Sequence, residues 1–271
     1  MQLPPTSGRS ASPDALPCCD SCPHAQGCQG AGLVRHAHPA AGPQPQRGVR
    51  LRKGQPLYLI GDPVTALYAI RVGTLKTHVT TEDGRTQVVG FHFPGELVGL
   101  DSLVRTRYAS YATALEDTKL CMIAVDLGSA AMAAAPALAI QLFLALDCMT
   151  QRARAMQTML ALMTAEERLV TFLLWMADGF AARGFSSSAF ILRMSREEIG
   201  SYVGLTLETV SRQFSRMAGI GLIRVRNRCV ELLDKPALRA IAERPKISAR
   251  TAPDTVAGSA GTAIGTTAFI Q

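Results

Sequence analysis

The sequence predicts an α+β chain: an N-terminal β jelly roll, one long helix and a C-terminal winged helix-turn-helix. Three observations carry this. Short apolar runs cut by turn residues fill residues 48–127. An unbroken heptad of apolar residues runs through residues 137–163. A capped helix, a tight Gly204-Leu205 turn, a second capped helix and a basic hairpin then follow within residues 165–233.

The β segment is punctuated at Gly54, Gly61-Asp62, Gly73, Asp83-Gly84 and Pro94-Gly95. Its clearest hairpin pairs residues 75–79 with residues 86–91 across Asp83-Gly84. Regular short strands favour a small sandwich or jelly roll, with Cys121 in the last strand, residues 119–125.

In the long helix, Leu142, Leu146, Met149, Ala153, Met156, Leu160 and Met163 alternate spacings of four and three. Such a seam favours a two-helix coiled coil, hence a homodimer. A core helix of a single subunit is the alternative, because the other faces are also fairly apolar. The helix would be roughly 40 Å long at its rise per residue.

Ser195 and Glu198 form a capping box for a short helix ending near Val203. Thr206 caps the next helix, residues 207–218, and Gly219 and Gly221 stop it. Leu207, Val210, Phe214 and Met217 share its inner face, while Glu208, Ser211, Arg212 and Ser215 share the outer one. Arg212 can pair bidentately with guanine, Glu208 can accept from cytosine N4, and Ser211 can touch a base edge. Arg216 and the hairpin arginines Arg224, Arg226 and Arg228 suit phosphate. Residues 164–250 carry 14 Lys and Arg against 9 Asp and Glu, an excess that points to a polyanion. A monomer reads too few bases for specificity, so a dimer on a palindromic duplex is expected.

The expected domains are an irregular segment 1–47, a β-roll 48–127, a dimerisation helix 128–164, a winged helix-turn-helix 165–244 and a disordered tail 245–271. The irregular segment contains Cys19, Cys22 and Cys28, read as C-x2-C-x5-C. Thiolates packed so closely in a reduced protein serve to hold a metal or iron–sulfur centre, and three ligands demand a distant fourth. Cys18 abuts Cys19 and leaves the first ligand open. Seven cysteines, an odd number, fit a reducing compartment. Residues 1–17 show no apolar signal core, and the apolar run 130–140 is broken by Pro136. A cytoplasmic protein without membrane contact is expected. Cys148 and Cys229 are expected to pack as small hydrophobes.

Four stretches together resemble the CRP/FNR family of bacterial regulators, and most closely its FNR (fumarate and nitrate reduction) branch. They are Cys19-x2-Cys22-x5-Cys28; the run Gly90-Phe91-His92-Phe93-Pro94-Gly95-Glu96-Leu97-Val98-Gly99; Ala114-Leu115-Glu116 with Cys121; and Ala165-Glu166-Glu167-Arg168-Leu169 leading to the run from Gly204 to Arg212. The resemblance spans residues 19–233. It implies a sensor β-roll and a 4Fe–4S cluster on Cys19, Cys22, Cys28 and Cys121. It implies oxygen-regulated dimerisation, TTGAT-type half-sites read by Glu208, Ser211 and Arg212, and contact with RNA polymerase through the turn 81–85. Ala153 falls where a well-known member of the family has an aspartate that opposes dimerisation, so a firmer dimer is expected here.

The nearest rival is control by a cyclic nucleotide. The resemblance argues against it, since Tyr108-Ala109 stands where an Arg-Ser pair would hold the cyclic phosphate. A structural zinc site on the same cysteines stays open. A thiol-redox enzyme is disfavoured, because no thioredoxin-like βαβ pattern surrounds Cys19-x2-Cys22. No catalytic constellation is apparent, so a non-enzyme is expected.

Overall fold

The computed structural model describes residues 14–16, 22, 28–31, 33, 46–124 and 136–243. Cys18, Cys19 and the expected tail 245–271 lie outside the described residues. The chain divides into two compact units, Met1–Met149 and Thr150–Gln271.

The first unit is a two-sheet β-roll. Strands β1 (Asp14–Leu16), β2 (Gln46–Leu51), β9 (Thr118–Ala124), β4 (Ala66–Val72) and β7 (Leu97–Val98) make one sheet in that order. Strands β3 (Pro56–Tyr58), β8 (Tyr111–Ala114), β5 (Leu75–Thr80) and β6 (Thr86–His92) make the other. Strand β1 falls inside the segment expected to be irregular, and Gln29–Ala31 and Leu33 are helical.

Strand β4 explains how the sheets are layered. Its first five residues are all buried, because alternate side chains serve two cores. Ala66, Tyr68 and Ile70 join Leu75, Ala112, Ala114 and Leu120 between the sheets. Leu67 and Ala69 point the other way, into a second cluster with Leu33, Leu97, Ile123, Leu142 and Ala145. Each fully buried Leu or Phe contributes roughly 1.5–3 kcal/mol.

Helix α1 (Pro136–Leu162) contains the point where the two units divide. The second unit comprises α2 (Ala165–Ala182), β10 (Ala189–Ile191), α3 (Arg196–Val203), α4 (Leu207–Gly219), the β11 (Ile223–Arg226) and β12 (Cys229–Leu232) hairpin, and α5 (Lys235–Ala242). Both expected capping features form. Ser195 and Glu198 satisfy each other's backbone N–H at the start of α3, and the Thr209 N–H donates to Thr206 Oγ1 at the start of α4. Thr164 and Glu167 form a further capping box on α2. The core joins Leu169, Phe172 and Leu173 of α2, Ile199 and Val203 of α3, and Val210, Phe214 and Met217 of α4, all buried. The β10-β12-β11 sheet supplies the wing. Observed architecture and expected fold class agree.

Candidate functional site

Helix α4 separates its faces sharply. Val210, Phe214 and Met217 are buried, whereas Glu208, Arg212, Ser215 and Arg216 are exposed and Ser211 is half-buried. Leu207 departs from expectation. It is 45% exposed rather than on the inner face. It opens the helix, and a helical side chain leans toward the N-terminus, here past the helix end.

Arg212 makes no ion pair among the described residues, so its donor fork is available. The Glu208 carboxyl is held below its ordinary value by its own backbone N–H and by the Thr206 hydroxyl. It is therefore an ionised acceptor at neutral pH, as cytosine N4 requires. Arg216 pairs with Glu166 of α2 at 3.3 Å, and Arg224 with Glu231 across the wing at 2.5 Å. The wing pair is exposed on both sides and worth little, and in the other pair the Arg216 side is exposed though Glu166 is half-buried, so either arginine can turn to phosphate. Arg226 is exposed, and Arg228 donates to the Arg193 carbonyl at 3.2 Å.

Sequence reasoning missed Arg196, whose guanidinium lies 4.2 Å from the Phe214 ring centroid and ties the start of α3 to α4. It also misjudged Cys229. That residue is exposed, because Val230 and Leu232 take the inward positions of β12.

In the β-roll, Cys121 pairs in register with Gly48 on one side and Ala69 on the other. It therefore shares a sheet face with Ala69, and Cys28–Ala31 and Leu33 dock on that face. The Gln29 N–H donates to the Gly95 carbonyl at 2.9 Å, and the Leu97 N–H donates to Gln29 Oε1 at 3.1 Å. Cys28 and Cys121 both border the apolar cluster around Leu67 and Ala69, and both are half-buried thiols. Two half-buried sulfur donors at the rim of an apolar cluster are of the kind an iron–sulfur centre takes. Cys22 is also half-buried, and among the described residues no three potential ligands stand close enough to hold a metal ion. The anchoring by Gln29 had no signal in the sequence, since it depends on a turn nearly seventy residues away.

Tyr108, which the resemblance sets at the place of a cyclic phosphate anchor, is buried. Its ring stacks on Tyr58 at 3.8 Å and its hydroxyl donates to the Ala66 carbonyl at 2.6 Å. Along the expected seam, Leu142 is buried in the chain's own β-roll cluster and Leu146 packs against it. Met149 and Ala153 are exposed, and Met156, Leu160 and Met163 are half-buried. Among the described residues of α1, the most exposed large apolar side chains are Phe143 at 70% and Ile140 at 57%.

A basic winged helix-turn-helix with a solvent-facing recognition helix, in one chain with a ligand-sensing type of β-roll, defines a DNA-binding transcription regulator rather than an enzyme. Residues 167–241 match the Crp-like helix-turn-helix domain and residues 48–130 the cyclic nucleotide-binding domain. The chain belongs to the CRP/FNR family of transcription regulators. It is 40% identical over 230 residues to the transcriptional regulatory protein btr of Bordetella pertussis, covering 85% of this chain and 95% of that one. It is 41% identical over 197 residues to the transcriptional activator protein anr of Pseudomonas aeruginosa, covering 73% and 81%. The structure of FixK2 from Bradyrhizobium japonicum superposes with a TM-score of 0.67 at 28% identity, over 72% of this chain and 96% of that one. Regulators of this family act as dimers on DNA. Among the described residues no helix is long and apolar enough to cross a membrane.

Proposed function

We propose that this chain is an oxygen-responsive cytoplasmic regulator, mainly an activator of anaerobic or microaerobic genes, that binds palindromic TTGAT-type sites as a dimer and recruits RNA polymerase. The observation that carries the proposal is the docking of the Cys28 segment on the sheet face of Cys121. Relatives named as anaerobic regulators at 35–37% identity support the same direction.

Cys19, Cys22, Cys28 and Cys121 would hold a 4Fe–4S cluster. When bound, that group would supply the irons that tie the four cysteine thiolates together, and its iron–sulfur core would be the part that oxygen oxidises. The chain's own residues do the rest. Gln29 fixes the backbone after Cys28 to the Gly95–Leu97 turn, while Leu33 fills the cluster that also receives Leu142 of α1. Order in the cysteine segment is thus felt by the helix proposed to dimerise, which is ligand-biased two-state behaviour. Tyr108, filling the anchor position with an apolar ring, supports a regulator without cyclic-nucleotide control. At the DNA, Glu208, Ser211 and Arg212 read bases. Thr206, Ser215, Arg216 and the wing arginines hold the backbone.

The test is anaerobic purification followed by a visible spectrum and iron and sulfide analysis. Roughly four irons per chain and a brown colour that bleaches in air are expected for such a centre. A colourless protein with one tightly held zinc would replace this reading with a structural zinc site.

A further inference from the structure

Arg168 occupies an unusual position. It lies in the first turn of α2, and its guanidinium serves the C-terminal ends of two other helices. Nη2 donates to the Leu160 carbonyl at 2.7 Å and Nε to the Met163 carbonyl at 3.0 Å, both at the C-terminal end of α1. Nη1 faces the Val203 and Gly204 carbonyls at 3.4 and 3.3 Å, at the C-terminal end of α3. Carbonyls in a last helical turn have no intrahelical donor, and both ends carry partial negative charge. A flat cation with five N–H donors answers both at once, which a lysine's compact ammonium cannot.

A second contact spans the same elements. The Arg152 guanidinium of α1 lies 5.4 Å from the Trp175 ring centroid, and Trp175 of α2 stacks on Tyr202 of α3 at 6.0 Å. The seam is closed tightly. Gly204 has φ +67°, and a β-carbon there would stand 2.9 Å from a Leu160 methyl and 3.2 Å from Arg168 Nη1. Every one of these residues belongs to the Thr150–Gln271 unit.

We infer that Arg168 is a positioning residue for DNA reading: it locks the last turns of α1 to the helix-turn-helix, so that α4 meets DNA in a single pose. Helix α4 follows α3 through only the Gly204–Thr206 turn, so the pose of α3 sets that of α4. Arg168 itself touches no base or phosphate. It acts on selectivity, and Trp175, the only tryptophan of the chain, reports on the joint.

The inference rests on the operator proposed above, and the experiment separates the two. Full-length wild type, Arg168→Ala, Arg168→Lys and Gly204→Ala are prepared without oxygen. Each is titrated with a duplex carrying a TTGAT palindrome and with a scrambled duplex, across a salt series, and Trp175 emission and quenching are recorded. Both alanine variants are expected to lose about ten-fold in affinity for the palindrome, the cost of about one base contact. Scrambled-duplex affinity and salt slope should hold while Trp175 becomes more quenchable. Arg168→Lys should fall with the alanine variants. Wild-type selectivity in both alanine variants overturns the inference. So does a salt slope reduced by about one in Arg168→Ala, which would make Arg168 a phosphate contact. Should Arg168→Ala melt out, Gly204→Ala and Arg168→Lys decide. A wild type indifferent to the palindrome counts against the operator alone, and the tryptophan readout then decides the lock.

Discussion

Gly30, two residues after Cys28, rests directly on Ala69 of β4: a β-carbon at position 30 would stand 2.6 Å from the Ala69 β-carbon and 2.9 Å from the Ile123 terminal methyl. The Ile123 methyl is the end of a flexible side chain and can swing aside, but the Ala69 β-carbon is fixed to the backbone of β4 and cannot. Overpacking of this kind costs roughly 1–3 kcal/mol. We predict that Gly30→Val frees the cysteine segment from the sheet. Amide exchange at Gln29 and Leu97, measured in protein without any metal, should accelerate by about ten-fold, equivalent to about 1.4 kcal/mol. Unchanged exchange would show that the segment does not depend on this contact.

At the recognition helix, Arg212→Ala should cost about 1–3 kcal/mol at one guanine position and leave other positions alone. Arg226→Ala should instead weaken all duplexes alike and lower the salt slope by about one. Binding to a panel of single-substitution duplexes at several salt concentrations separates the two outcomes.

The Glu208 carboxyl titrates below its ordinary value, with its own backbone N–H as the first cause. Its charged form is present above that lowered value and is lost only as pH falls through it. Preference for cytosine at the Glu208 position should therefore persist down to about pH 5, above the ordinary carboxylate range. Loss of that preference already near neutrality would exclude Glu208 as the acceptor. Glu208→Gln is the control, since its amide lacks the charge at every pH.

Leu142 and Phe143 are adjacent in α1 but have opposite fates: 7% exposed in the β-roll cluster against 70% exposed. Leu142→Ala should cost about 2–5 kcal/mol of stability, as a core truncation does. Phe143→Glu should spare the subunit's melt but shift the protein from dimer to monomer in sedimentation. With the uncharged Ala153 on α1, metal-free wild type should remain largely dimeric at micromolar concentration, and Ala153→Asp should dissociate it.

Burial, and then the nearby charge of Asp101, pushes the Tyr58 hydroxyl well above its ordinary value. That hydroxyl is buried and has no partner of normal hydrogen-bond geometry among the described residues, the Ser110 hydroxyl only partly opposing the shift. Tyr58→Phe should therefore stabilise the β-roll by about 1 kcal/mol. The pH dependence follows from the raised value. Stability is complete below about pH 10, where the unfolded tyrosine starts to ionise, and declines as pH rises further. In Tyr58→Phe that alkaline decline should be shallower, as read by thermal melts between neutral pH and about pH 11.

By itself the sequence determined the elements and the chemistry each carries. Apolar runs cut by glycine turns defined the β-roll, and Ser195 with Glu198 and Thr206 defined two helix starts, because capping and periodicity are local properties. The Glu208–Arg212 face was legible for the same reason: residues three and four apart share a helix face whatever surrounds them. The cysteine spacing declared a need for a fourth ligand without locating it physically. Tertiary structure decided everything that depends on what lies opposite. It seated Leu142 in its own subunit while leaving Phe143 outside, and turned Leu207 and Cys229 to solvent. It also brought Gln29 to the Gly95–Leu97 turn, and gathered the ends of α1 and α3 onto Arg168. A heptad pattern marks which residues are apolar, but not which of two apolar surfaces claims them. That choice is made by long-range packing, and no window of sequence contains it.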